Sequence, residues 1–161
     1  MLGGAGCGVN AHHHHLGDMQ MKSRYHIAHI ADELGAFIHQ WSWDLFITLT
    51  FRARFPMSSD RVKSQWERLI SSINRGQRTD CYWVQSIETG KEQAIPHIHA
   101  LVGGTDISPR EIPRIWHPGT GNAQAEKYDP ARRAAWYIAK HPDAVEFSSN
   151  LPPLANAKAK R

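Results

Sequence analysis

Two cysteines, Cys7 and Cys81, are too few for a disulfide framework, and their separation matches no zinc-knuckle spacing. No apolar run reaches membrane-spanning length, and no basic-then-apolar leader opens the chain. The Gly-x-x-x-x-Gly-Lys-Ser/Thr phosphate loop is missing, which excludes a P-loop nucleotide hydrolase. No internal repeat occurs. These absences lead us to expect an intracellular, cytoplasmic protein without membrane partners, its thiols reduced.

What is present fits one ordinary domain. A chain of 161 residues is long enough to bury a core. Its net charge of +4 is compatible with a polyanionic partner without requiring one. Residues 1–21 stand apart: Gly3, Gly4, Gly6, Gly8 and His12 to His15 suggest a disordered segment able to bind metal adventitiously. This segment could equally be a tag remnant or follow a misplaced start, with Met19 and Met21 as later starts. Residues 22–148 are the expected domain, and 149–161 a disordered basic tail rich in Pro, Ala and Lys.

Periodicity supplies the elements. Ile27, Ile30, Leu34, Phe37 and Ile38 make an apolar stripe on a helix over 24–40, which Gly35 weakens. Residues 45–51 alternate as a strand, with Ile47, Leu49 and Phe51 on one side and Phe46, Thr48 and Thr50 on the other. Val62, Trp66, Leu69, Ile70 and Ile73 mark a second helix, capped by Ser58 or Ser59. Residues 82–88 and 97–102 read as an antiparallel hairpin. A short helix to about Trp116, a strand over 122–128, a helix over 130–141 and an edge strand at 145–147 follow. Adjacent strands with intervening helices predict an α+β fold: a central, mainly antiparallel sheet of about five strands with flanking helices. The six tryptophans are expected in the core rather than as base-stacking platforms.

Three places carry chemistry. In His97-Ile98-His99, strand alternation projects both imidazoles from one face, a natural metal chelate. The same pattern arises by chance in a chain with eleven histidines. Glu88 ends the neighbouring strand, roughly 5 Å away, and is a third-ligand candidate; Glu92 in the loop is a less constrained one. On the 130–141 helix, Arg133, Tyr137 and Lys140 share a stripe away from Ala131, Ala134, Ala135 and Ile138. A half-buried tyrosine with solvated cations on either side would look the same. Thr48, Thr50, Arg52 and Arg54, with Arg61 and Lys63 beyond, could contact phosphates or form a solvated basic face.

Taken together, these residues resemble the HUH endonuclease superfamily, specifically its replication-initiator (Rep) branch. Phe46-Ile47-Thr48-Leu49-Thr50-Phe51 is similar to Rep motif 1, His97-Ile98-His99 to the His-hydrophobe-His motif 2, and Tyr137-Ile138-Ala139-Lys140 to the Tyr-x-x-Lys motif 3. Glu88 stands where several Rep proteins place their third metal ligand. The resemblance spans about 44–141 and implies an HUH/Rep-like fold with a ferredoxin- or RRM-like core. It also implies the activity: nicking and rejoining of single-stranded DNA at a replication origin, expected to be a hairpin, to initiate rolling-circle replication. Mg²⁺ or Mn²⁺ on His97, His99 and Glu88 would polarise the scissile phosphate. Tyr137 would attack it, leaving a 5′-phosphotyrosine, while Lys140 favours the phenolate or positions the phosphate. Thr48, Thr50, Arg52, Arg54 and Arg133 would hold DNA. A separate helicase and polymerase would be partners, and a eukaryotic virus would place the protein in the host nucleus.

One motif-3 tyrosine excludes a two-tyrosine relay, because Tyr128 lies too far upstream. Relaxases place the tyrosine before the histidines. A single-tyrosine HUH transposase shares the order found here but typically carries glutamine in place of the lysine. A cupin-like metalloenzyme needs a glutamate shortly after His-x-His, and residues 100–104 have none. A DNA-binding module without cleavage is the non-enzymatic alternative.

Overall fold

The computed structural model describes residues 11–52, 57–89, 95–116 and 120–154. Five strands form one sheet: β1 (Leu45–Phe51), β2 (Tyr82–Thr89), β3 (Pro96–Gly103), β4 (Gly121–Lys127) and β5 (Val145–Phe147). Their order is β4-β1-β3-β2-β5, and every neighbouring pair is antiparallel. The helices are α1 (Ala11–Ile38), α2 (Ser59–Asn74), the short α3 (Ile112–Ile115) and α4 (Ala134–Ala139). The expected α+β class and five-stranded antiparallel sheet are therefore present.

The two faces of the sheet carry separate cores. Leu45, Ile47, Leu49 and Phe51 of β1 and Ile98, Ala100 and Val102 of β3 pack with Val62, Trp66, Leu69 and Ile73 of α2. The period of 2 in the strands and 3.6 in the helix put these side chains on a shared interface. The opposite face carries Val84 and Leu101 against Ile38, Trp41 and Trp43 at and after the end of α1 and Ala134, Ala135, Ile138 and Ala139 of α4. Ser58 caps α2 by accepting from the Arg61 N–H. Trp41, Trp43, Trp66 and Trp116 are buried, and Trp83 and Trp136 partly so, as expected of core residues.

Gly35 has a positive role instead of a weakening one. A Cβ there would sit 2.5 Å from the Trp136 ring, so its absence lets α1 close on α4. Gly121 opens β4 at φ +154, where a Cβ would strike the Thr50 carbonyl.

Four expectations need correction. The first helix starts at Ala11 rather than near 24; between the two, Gly17 is the residue that most disfavours a helix, and one glycine does not stop it. The segment expected to be disordered is thus helical over 11–21, while 1–10 lie outside the described residues. The tail expected from 149 is fixed as far as 154: Trp41 donates to the Pro152 carbonyl at 2.8 Å, and Asn150 donates to the Cys81 carbonyl at 3.1 Å. Finally, 130–141 is not one helix. Pro130–Arg132 forms a 3₁₀ turn capped by Asp129, Arg133 adopts φ 55, ψ 33, and α4 begins only at Ala134. The left-handed residue breaks the register on which an Arg133-Tyr137-Lys140 stripe depends. Ala131, assigned to the apolar stripe, is exposed. Among the described residues no helix is long and apolar enough to cross a membrane.

Candidate active site

The α1/α4 face of the sheet also holds the histidines. β3 is the central strand, and its register sets His97 opposite Thr50 and Glu88, and His99 opposite Thr48 and Ser86. Paired residues share a face, so Thr48, Thr50, Ser86, Glu88, His97 and His99 project together.

The threonines orient the imidazoles. Thr48 Oγ1 lies 3.2 Å from His99 Nδ1, and Thr50 Oγ1 lies 3.0 Å from His97 Nδ1. Each bond engages Nδ1 and turns Nε2 away from β1, which is how an outer partner fixes a ligating imidazole. Alternation alone suggests phosphate contacts for these threonines; in the structure their hydroxyls face the histidines.

Glu88 is half-buried, with Oε2 4.0 Å from His99 Nε2 and Oε1 3.8 Å from His141 Nε2. His99 is buried, and desolvation holds its pKa below the ordinary value, opposed by Glu88 and reinforced by His97 and Lys140. A neutral imidazole beside a carboxylate is a ligand pair, not a salt bridge. Bonds of about 2.1 Å to a shared ion set neighbouring ligand atoms roughly 3.0–3.4 Å apart. His99 and Glu88 would therefore close by about half an ångström around one. Glu88 Oε1 is buried without a hydrogen-bond partner, an acceptor that a cation would satisfy. Nitrogen and oxygen donors of this kind suit a divalent ion. Among the described residues no three His, Cys, Asp or Glu side chains already form a closed ligand group. Glu92 lies outside the described residues.

Tyr137 extends from α4 over this set. Its hydroxyl is 3.5 Å from His99 Nε2, and the two rings meet edge-on at 4.7 Å. Ala134, Ala135 and Ile138 anchor the helix, leaving Tyr137 43% exposed, open to a macromolecular substrate. Burial, and after it the Glu88 carboxylate, push the phenol pKa above its ordinary value. This corrects the expectation that Lys140 favours the phenolate. The Lys140 charge bears on His99 instead.

The remaining expected DNA contacts disperse. Arg133 stands over the Trp136 ring at 4.5 Å and 3.5 Å from Asp32 of α1, so it braces the helices. Arg52 is exposed just beyond β1. Arg54 lies outside the described residues. Sequence reasoning misses His141, whose contact with Glu88 arises as the chain leaves α4 and follows no strand or helix period.

The fold and site together define a replication-type protein with a histidine pair on the central strand and a tyrosine helix beside it. Residues 44–142 match the model of the ORF2-type replication-associated protein family, and the chain belongs to that family. The solved structure of the hypothetical protein ORF119 from Sulfolobus islandicus rod-shaped virus 1 is 14% identical, with a TM-score of 0.48 over 73% of this chain and 97% of that one. The minute virus of mice non-structural protein-1 N-terminal nuclease domain is also 14% identical, with a TM-score of 0.31 over 79% and 73%. Its description records Zn²⁺ coordination in an active-site pocket and DNA recognition at the origin of replication. No curated protein shows significant sequence similarity to the chain.

Proposed function

We propose that the protein nicks and rejoins single-stranded DNA at a replication origin, with Tyr137 as nucleophile. The observation that carries this reading is the Tyr137 hydroxyl 3.5 Å from His99 Nε2, on the face of the sheet that also bears Glu88. In the cleavage step the Tyr137 oxygen bonds to phosphorus, and the bond from phosphorus to the 3′ oxygen breaks. The phenol proton departs, and the released 3′ oxygen takes one up. The product is a 5′-phosphotyrosine and a free 3′-hydroxyl, and the reverse attack rejoins the strand.

His97, His99 and Glu88 would hold Mn²⁺ or Mg²⁺, which when bound offsets charge on the phosphate oxygens. Thr48 and Thr50 hold the imidazoles in orientation. Lys140, exposed one residue past α4, supplies positive charge for the DNA backbone, as does Arg52. Helicase and polymerase functions would come from separate partners.

The test is incubation of the protein with a pool of single-stranded oligonucleotides and Mn²⁺. A slow-migrating covalent band on a denaturing gel is expected, with the attachment mapped by peptide mass to Tyr137. Absence of a covalent product, or attachment to another residue, overturns the reading.

A further inference from the structure

A cavity of about 350 Å³ opens beside Tyr137, lined by Phe46, Thr48, His99, Glu126, Arg132 and Tyr137, with Ala134 at its wall. Three of its walls are aromatic. The Phe46 ring lies nearly parallel to His99 at 6.5 Å and edge-on to Tyr137 at 6.3 Å. Its rim is charged and paired: Arg132, on the 3₁₀ turn before α4, donates to the Glu126 carboxylate on β4. Aromatic walls with a paired cation and carboxylate at the mouth match a nucleobase, which offers a π-face to rings and a hydrogen-bonding edge to polar groups.

We infer that this cavity receives the unpaired base of a nucleotide adjoining the scissile phosphate, with Phe46 as its stacking surface and Glu126 and Arg132 reading its edge. The inference rests on the nicking reading, because Tyr137 and His99 wall the cavity and also approach the phosphate. A base attached to that phosphate is thus one nucleotide's reach from the cavity. Glu126 accepts from an exocyclic amine, and Arg132 donates to purine or carbonyl acceptors, so the rim discriminates among bases. Contacts to the backbone alone would not.

The test is binding, which needs no cleavage. Fluorescence anisotropy of the full chain in EDTA is measured with short homopolymers of each of the four bases and with an abasic strand of equal length. The wild-type protein should prefer one base and bind the abasic strand most weakly. Phe46→Leu keeps bulk and removes the ring; affinity for all four homopolymers should fall about five- to a hundredfold. Glu126→Gln and Arg132→Ala alter exposed rim groups and leave the core untouched. They should change or flatten the base preference, even if Phe46→Leu folds poorly. Equal binding of the abasic strand and the homopolymers by the wild-type protein overturns the proposal, as does an unchanged base preference in both rim variants. Covalent attachment in Mn²⁺ is scored separately. Base preference without an adduct sinks the nicking reading and leaves the cavity assignment standing; an adduct without base effects does the reverse.

Discussion

A single hydroxyl separates the proposed nucleophile from an inert ring. Tyr137→Phe should preserve the edge-on contact with His99 and the packing of α4, so folding, Mn²⁺ affinity and DNA affinity should stay near wild type while the adduct disappears. An adduct at wild-type rate in the Phe variant would exclude Tyr137. The threonines offer a second residue-level test. Thr48→Val and Thr50→Val keep shape but remove the partners of the two Nδ1 atoms. Loss of such outer partners costs about 10–100-fold in metal affinity, so Mn²⁺ titration should weaken by that order in the double variant. The salt dependence of DNA binding should not change. Lower DNA affinity with unaltered Mn²⁺ affinity would return these threonines to the phosphate-contact role. Their strand and their face are legible from alternation. Their partners are not, because the sequence does not show which residue of β3 lies opposite each one.

At the scale of elements, regular periodicity is readable and its interruptions are not. β1, α2 and the hairpin of β2 and β3 show themselves through spacing of 2 and 3.6. The break at Arg133 does not, since an arginine with φ 55 carries no sequence mark of the kind glycine would. The fixed residues 149–154 are hidden for a related reason: Asn150 and Pro152 are held through bonds to backbone carbonyls that composition does not encode. Gly35 is visible but ambiguous, because a helix-weakening residue and a close-packing residue look alike until the neighbour is known. α4 has six residues, too few to persist alone in water, so α1 must hold it in place. Gly35→Ala should push the two helices apart, lowering stability by about 1–3 kcal/mol. Because Tyr137 rides on α4, adduct formation should fall with it. A thermal midpoint equal to wild type would show that the contact is dispensable.

For the whole molecule, buried ionisable groups set the alkaline limit. Burial, followed by the Asp80 charge, pushes the Cys81 thiol up to about 11 from 9.0; burial, followed by Asp44, pushes the Tyr82 phenol up to about 12 from 10.0. The unfolded chain therefore releases these protons first. Their contribution is complete below about pH 9 and is lost as pH rises through 11 to 12. His99 acts at the other end. Its folded pKa is lowered, so the unfolded chain takes up that proton first, and stability declines as pH falls below 6.5. Urea midpoints across pH should show both declines, and Cys81→Ala should flatten the curve between about 9 and 11. An identical alkaline slope in that variant would assign the loss elsewhere.

The register of the sheet has one more consequence, for how the protein acquires its activity. Thr48 is 51 residues from His99, Thr50 is 47 from His97, and Tyr137 is 38 from His99. These contacts are all non-local, so none forms until strands and helix from distant parts of the chain have been brought together, a slow step in folding. A nascent or partly melted chain has no rudimentary version of the site. The capacity to attach to DNA should appear late and all at once during refolding, on the same time course as burial of the sheet, and should vanish in a single step on heating. A strand-cutting protein of this build stays inert toward DNA until its synthesis and folding are complete.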